Sequence, residues 1–169
     1  GFLTAHSVKQ GSDVVDATLK NKMVLQTRSR LHVLVKLKTG KSVIYNALND
    51  IVVERGSFSQ LISTAVYFDD SIVNHIKADG IIISSPTGST AYNLAAGGPI
   101  LHPEVNAIVV TPVAPHSLTM RPLIFSDTKK LSLRLDKNTS LAHLILDGQK
   151  VLELSSEDEV IITRDKISH

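Results

Sequence analysis

Over much of this chain, hydrophobic and polar residues trade places at every second position. Leu31, Val33, Val35 and Leu37 alternate with Arg30, His32, Lys36 and Lys38, the period of a strand with one face in water. Lys38-Thr39-Gly40-Lys41 reads as a turn, and Val43–Leu48 as the returning arm of a hairpin. Ile51–Glu54 is a third strand, ended by Arg55-Gly56-Ser57. Leu61–Phe68 and Ile72–Ile76 form a second hairpin around Asp69-Asp70-Ser71. Further strands are expected at Ile81–Ile83, Ala107–Thr111, Leu131–Leu135, Leu141–Leu146, Lys150–Leu154 and Val160–Thr163. Asp136-Lys137-Asn138, Asp147-Gly148 and Ser155-Ser156 suit the reversals between them.

A helical period shows at two places only. Asp13–Asn21 follows Gly11-Ser12, with Ser12 as N-cap and Val14, Val15 and Leu19 directed at the core. Ser89–Ala96 is the second helix, stopped by Gly97-Gly98 and Pro99. Many short strands with few helices predict a mainly β domain, an antiparallel sandwich with two short helices, over residues 1–169.

Composition narrows the class. At 169 residues the chain can bury a sizeable core as one domain. It has no cysteine, so disulfides, thiolate metal sites and a cysteine nucleophile are excluded. No apolar run approaches the roughly 18 residues of a membrane span, and no signal peptide is visible. A cytoplasmic protein is expected, without membrane contact. The net charge of +2 hides an asymmetry, because seven basic residues and no acid lie between Lys20 and Lys41. Nucleic-acid binding would want aromatic residues interleaved with that charge, and the segment lacks them, so it reads as a solvated strand face.

The chemistry concentrates in Asp79–Pro99, DGIIISSPTGSTAYNLAAGGP. Ser84, Ser85, Thr87, Ser89 and Thr90 set five hydroxyls around Pro86 and Gly88. Such a loop offers backbone N–H groups and a helix N-terminus to a polar or anionic ligand, with Gly88 admitting it to the main chain. It lacks the Lys of a phosphate-binding Walker loop. Backbone groups at Thr90, Ala91 and Tyr92 can bond the polar edge of a ligand, and the Tyr92 ring adds apolar contact area. Asn49-Asp50 places an amide beside a carboxylate, which together supply acceptors and donors. The alternative for that pair is an ordinary turn. His6, His32, His75, His102, His116, His143 and His169 show no metal-ligand spacing, and Ser89 has no nucleophile elbow around it.

Pro86-Thr87-Gly88-Ser89-Thr90-Ala91-Tyr92 followed by Gly97-Gly98-Pro99-Ile100 resembles the signature of the NAD kinase family. Asn49-Asp50, the segment from Thr111-Pro112 to Arg121-Pro122, and Asp147-Gly148-Gln149 extend the likeness. Gly1-Phe2-Leu3-Thr4 resembles the junction between that family's two domains, so the likeness covers the C-terminal domain alone. It implies NAD binding by Asn49, Asp50, Asp79, Ser89, Thr90, Ala91, Tyr92 and Ala114, with Gly88, Ala95 and Gln149 as lesser contacts. Asn49 and Asp50 would hold the ribose, and Asp79 would reach the nicotinamide end across a subunit interface, which implies a dimer or tetramer. Ala95 departs from the family, which often has Ser there. The family's Gly-Gly-Asp-Gly-Thr motif, carrier of the catalytic base, is absent from this sequence.

The function so implied is transfer of a phosphoryl group from ATP or polyphosphate to the 2′-hydroxyl of the NAD adenosine ribose, with Mg²⁺ on the donor. The chain alone would bind NAD without turnover. A related lipid kinase and a non-catalytic nucleotide-binding or assembly module are the alternatives. Diacylglycerol as substrate would mark the first, and binding without turnover in the longer protein the second.

Overall fold

The computed structural model describes residues 7–23, 26–56, 60–139 and 141–165. The domain-junction reading of Gly1–Thr4, and Ser57, lie outside them. The described residues form twelve strands in two six-stranded sheets. The first sheet holds β1 (Leu31–Lys36), β2 (Ser42–Ala47), β4 (Ile62–Phe68), β5 (Ser71–Ala78), β9 (Leu131–Leu135) and β12 (Glu159–Arg164). Its order is β2-β1-β12-β9-β4-β5. The second holds β3 (Asp50–Arg55), β6 (Gly80–Ser84), β7 (Ala107–Val113), β8 (Leu123–Ser126), β10 (Ala142–Leu146) and β11 (Gln149–Leu154). Its order is β11-β10-β3-β6-β7-β8. Every pairing is antiparallel, as the sandwich reading requires.

Alternation decides which side of each strand is buried. Leu31, Val33 and Val35 of β1 and Leu131 and Leu133 of β9 enter a core shared with Ile51 and Val53 of β3 and Ile81 and Ile83 of β6. The first sheet keeps a wet outer face, where Ile44 of β2 is 61% exposed. The second is wet only toward its edges, as at Ile124 of β8. Val52, Ile82 and Val109 point away from that core and are nevertheless buried, because the segment from Ser85 to Leu101 lies across them. Strands buried on both faces are written as unbroken apolar runs, which is how Ile81-Ile82-Ile83 reads.

Three expectations change. The first helix, α1, spans Gly11–Leu19 after a 3₁₀ turn at Val8–Gln10. Ser12 lies inside it and no side chain caps it. It buries no residue, and Val15 and Leu19 face solvent instead of the core, because among the described residues no strand packs on this helix closely enough to cover them. The helix expected over Ser89–Ala96 is broken in two: a 3₁₀ turn at Thr87–Thr90 and a single α-turn, α2, at Tyr92–Ala95. Ala91 interrupts them with φ −94 and ψ −129, outside the helical region. Strand β8 was not anticipated. Its four residues are too few to show a period.

Candidate functional site

The site is built where the Ser85–Leu101 segment meets the ends of β3 and β10. Four of the five loop hydroxyls are turned inward onto backbone. Ser84 Oγ donates to the Ser85 carbonyl at 2.8 Å, and Ser85 Oγ to the Leu48 carbonyl at 2.6 Å. Ser89 Oγ donates to the Pro86 carbonyl at 2.7 Å and accepts from the Leu101 N–H at 3.0 Å. Thr90 Oγ1 reaches the Thr87 carbonyl at 3.4 Å. The hydroxyls shape the loop; they do not line a ligand cradle. The N–H groups are also engaged, Gly88 with Ser85 Oγ at 3.0 Å and Ala91 with the Gly88 carbonyl at 2.8 Å.

Gly88 has a different task from the one expected. A Cβ there would fall into the Asn49 carbonyl, so the close approach it permits is to the residue just before β3. Ser85 N–H donates to that same carbonyl at 2.9 Å. At the other end of the loop, Asn93 is fully buried and fully partnered. Its Nδ2 donates to the Ser89 and Pro99 carbonyls at 2.9 and 3.0 Å, and its Oδ1 accepts from Thr111 Oγ1 at 2.7 Å. Gly98 leaves the space that the Asn93 amide fills.

Asp147, in the turn between β10 and β11, was read from the sequence only as part of that turn. Its carboxylate accepts from three successive backbone N–H groups: Leu48 at 2.8 Å, Asn49 at 2.7 Å and Asp50 at 3.1 Å. These bonds fix the corner that carries the Asn49-Asp50 pair. Asp50 is 5% exposed. Burial pushes its carboxyl above the ordinary carboxylate range, the Asp147 charge pushes it further, and a hydrogen bond from the Tyr92 backbone N–H opposes both. The anion at the start of α2 is therefore the protein's own Asp50. Asn49 Oδ1 is buried with no hydrogen-bond partner among the described residues.

Two adjoining cavities open over this corner. One, of about 430 Å³, is lined by Asn49, Asp50, Ala91, Tyr92, Ile145 and Asp147, among others. The other, of about 470 Å³, is lined by Arg55, Asp79, Gly80, Val113 and His143, among others. Val52, Glu54 and Tyr92 line both, so they form the wall between them. Of the residues singled out in the sequence, Asn49, Asp50, Ala91 and Tyr92 meet in the first cavity and Asp79 stands in the second. Asp79 is paired with Arg55, Oδ1 to Nη1 at 3.3 Å. Ser89 and Gly88 are buried beneath the loop, and neither they nor Thr90, Ala95, Ala114 or Gln149 line either cavity. Ala114 follows Val113 with φ +46, a left-handed conformation rare for alanine. Gln149 opens β11 just past the Asp147-Gly148 turn.

Glu54 and His143, on the outward side of β3 and β10, escaped sequence reasoning. Glu54 follows the apolar run of β3, where a polar residue looks like an ordinary strand end, and His143 sits in alternating β10, where it looks like ordinary solvent-facing pattern. Among the described residues no three His, Cys, Asp or Glu side chains gather to hold a metal ion.

The described residues thus form an all-antiparallel two-sheet sandwich with a split polar cavity beside an acid–amide corner. The chain belongs to the NAD kinase family: residues 48–167 match the ATP-NAD kinase C-terminal domain. It is 55% identical over 169 residues to an NAD kinase of Bdellovibrio bacteriovorus, covering 100% of this chain and 56% of that protein. An NAD kinase of Desulfatibacillum aliphaticivorans is 38% identical over 164 residues, 97% of this chain and 58% of the relative. The crystal structure of yeast NADH kinase complexed with NADH is 32% identical and superposes with a TM-score of 0.90, over 98% of this chain and 48% of that one. An Archaeoglobus fulgidus NAD kinase, solved with ATP, shares the fold at a TM-score of 0.74, over 94% of this chain and 58% of that one. The chain spans just over half the length of the curated relatives it matches.

Proposed function

We propose that this domain holds NAD as phosphoryl acceptor in a longer NAD kinase, which transfers a phosphoryl group from ATP or polyphosphate to the 2′-hydroxyl of the adenosine ribose. The observation that carries this reading is the convergence of Asn49, Asp50, Ala91 and Tyr92, from two separate segments, on one cavity. The ribose diol donates to the Asp50 carboxylate, and the unmet Asn49 Oδ1 supplies a second acceptor once the amide turns toward it. The Ala91 N–H is spent inside the loop, so it is the Ala91 carbonyl, with one lone pair left beside the Leu94 N–H, that meets the base edge, and the Tyr92 ring covers it.

ATP would bring Mg²⁺ with its phosphates, and the described residues gather no ligand set for the ion. What this domain contributes is orientation, placing one hydroxyl of the acceptor where the rest of the enzyme can phosphorylate it. Asp79 would meet a neighbouring subunit's NAD in a homo-oligomer. The test is phosphoryl transfer by the longer protein with NAD, ATP and Mg²⁺, beside the purified 169-residue chain. NADP forms with the first and not with the second, while the second still binds NAD in calorimetry. NADP made by the chain alone, or no NAD binding by either protein, overturns the reading.

A further inference from the structure

Four carboxylates line the two cavities, and three of them are engaged. Asp147 holds three backbone N–H groups, Asp50 takes the Tyr92 N–H, and Asp79 pairs with Arg55. Glu54 has neither hydrogen bond nor ion pair among the described residues, yet it lines both cavities. Its cross-strand neighbours are Gly80 on β6 and His143 on β10. Gly80 has no side chain to crowd it: a Cβ there would stand 3.4 Å from Glu54 Cβ. His143 has its own acid, Glu153, with Nε2 3.8 Å from Oε1. A half-buried, unspent negative charge therefore sits at the boundary between the cavities, beside Tyr92.

We propose that Glu54 is a specificity-determining residue that favours the oxidised, cationic nicotinamide ring over the reduced, neutral one. This rests on the reading above: Asp79 stands in the second cavity and meets the nicotinamide end of a neighbouring subunit's NAD, so Glu54, which lines that cavity, faces the same ring. The two ligands differ there by one positive charge and little in shape. Only a charged wall distinguishes them strongly, and a Glu54 carboxylate without a fixed partner has its full charge to offer. One unit charge about 4 Å away across a water-filled cavity is worth about fivefold in affinity.

The experiment is calorimetric binding of NAD and of NADH to the full-length enzyme and to its Glu54→Gln variant. The expected result is a Kd for NAD about fivefold higher in the variant, with the Kd for NADH unchanged. Glu54→Asp keeps the charge and retains the preference. In the unsubstituted enzyme, raising the salt concentration narrows the gap between the two ligands. The inference is overturned if Glu54→Gln weakens both ligands equally, leaves both unchanged, or tightens both, the last meaning that the carboxylate faces the diphosphate. If the unsubstituted enzyme binds neither ligand, the acceptor-site reading fails first. A cooperative unfolding transition at the unsubstituted temperature shows that the isosteric change left the fold intact.

Discussion

The two sheets are built from the same number of strands and do opposite things with their outer faces. The first sheet's outer face is wet and laced with exposed pairs such as Lys36–Glu159 and Arg134–Glu159. The second sheet's outer face is roofed by the Ser85–Leu101 segment, and the cavities lie along the edge of that roof. The candidate site thus sits where a second hydrophobic layer was added to a sandwich that already had one. The added layer is small, so its polar bonds matter as much as its apolar contacts.

The sharpest way to break this contrast is to truncate one outward-facing residue on each sheet. Ile82→Ala, under the roof, should cost about 3 kcal/mol, whereas Leu34→Ala on the wet face should cost about 1 kcal/mol or less. Chemical denaturation of both variants measures it, and equal costs would mean the roof is not a second core. Next in size is Asn93→Ala, which strands the Ser89 and Pro99 carbonyls and the Thr111 hydroxyl. A loss of about 2 kcal/mol is expected, with a weaker NAD affinity because Ala91 and Tyr92 ride on the same segment. A variant that loses stability yet binds NAD as before would separate roof from site.

Asp50→Asn should raise the Kd for NAD about tenfold while leaving the domain folded. Its effect on stability has a definite sign. The folded Asp50 carboxyl titrates above its unfolded value, chiefly through burial. Its contribution is therefore fully present below the ordinary carboxylate range and is lost as pH rises through the elevated value. The asparagine variant escapes that loss, so it gains on the unsubstituted domain as pH goes from acid toward neutral. Melting temperatures across that range that run parallel would refute the assignment. Smallest of all, Lys36→Ala on the first sheet should change stability by no more than about 0.5 kcal/mol.

Much of the sandwich was legible because strands with one wet face announce themselves. The alternation from Leu31 to Leu37 locates β1, and the Lys38–Lys41 turn locates its partner. What alternation cannot convey is which strands end up beside one another: β1 pairs with β12 from the far end of the chain. Nor can it tell a helix packed on a core from one lying at the surface, as Val15 and Leu19 show. The site residues Asn49, Asp50, Ala91 and Tyr92 stand out through their motifs. Asp147 hides inside a turn whose Asp-Gly pair already satisfies turn chemistry, and Glu54 hides at the polar end of a strand's apolar run. The hydroxyl cluster misleads in the other direction. Serines and threonines that look like ligand donors are the bolts of a loop that has almost no regular structure of its own.

Gly88 pressed against the Asn49 carbonyl makes one assembly of two segments that sequence treats separately. Asn49 and the Ala91-Tyr92 pair, which line one cavity from two directions, cannot be adjusted one at a time. A bulkier residue at that contact would shift both together and change the distance between them. The domain thus carries an internal ruler across its cavity, set by the absence of a single methyl group.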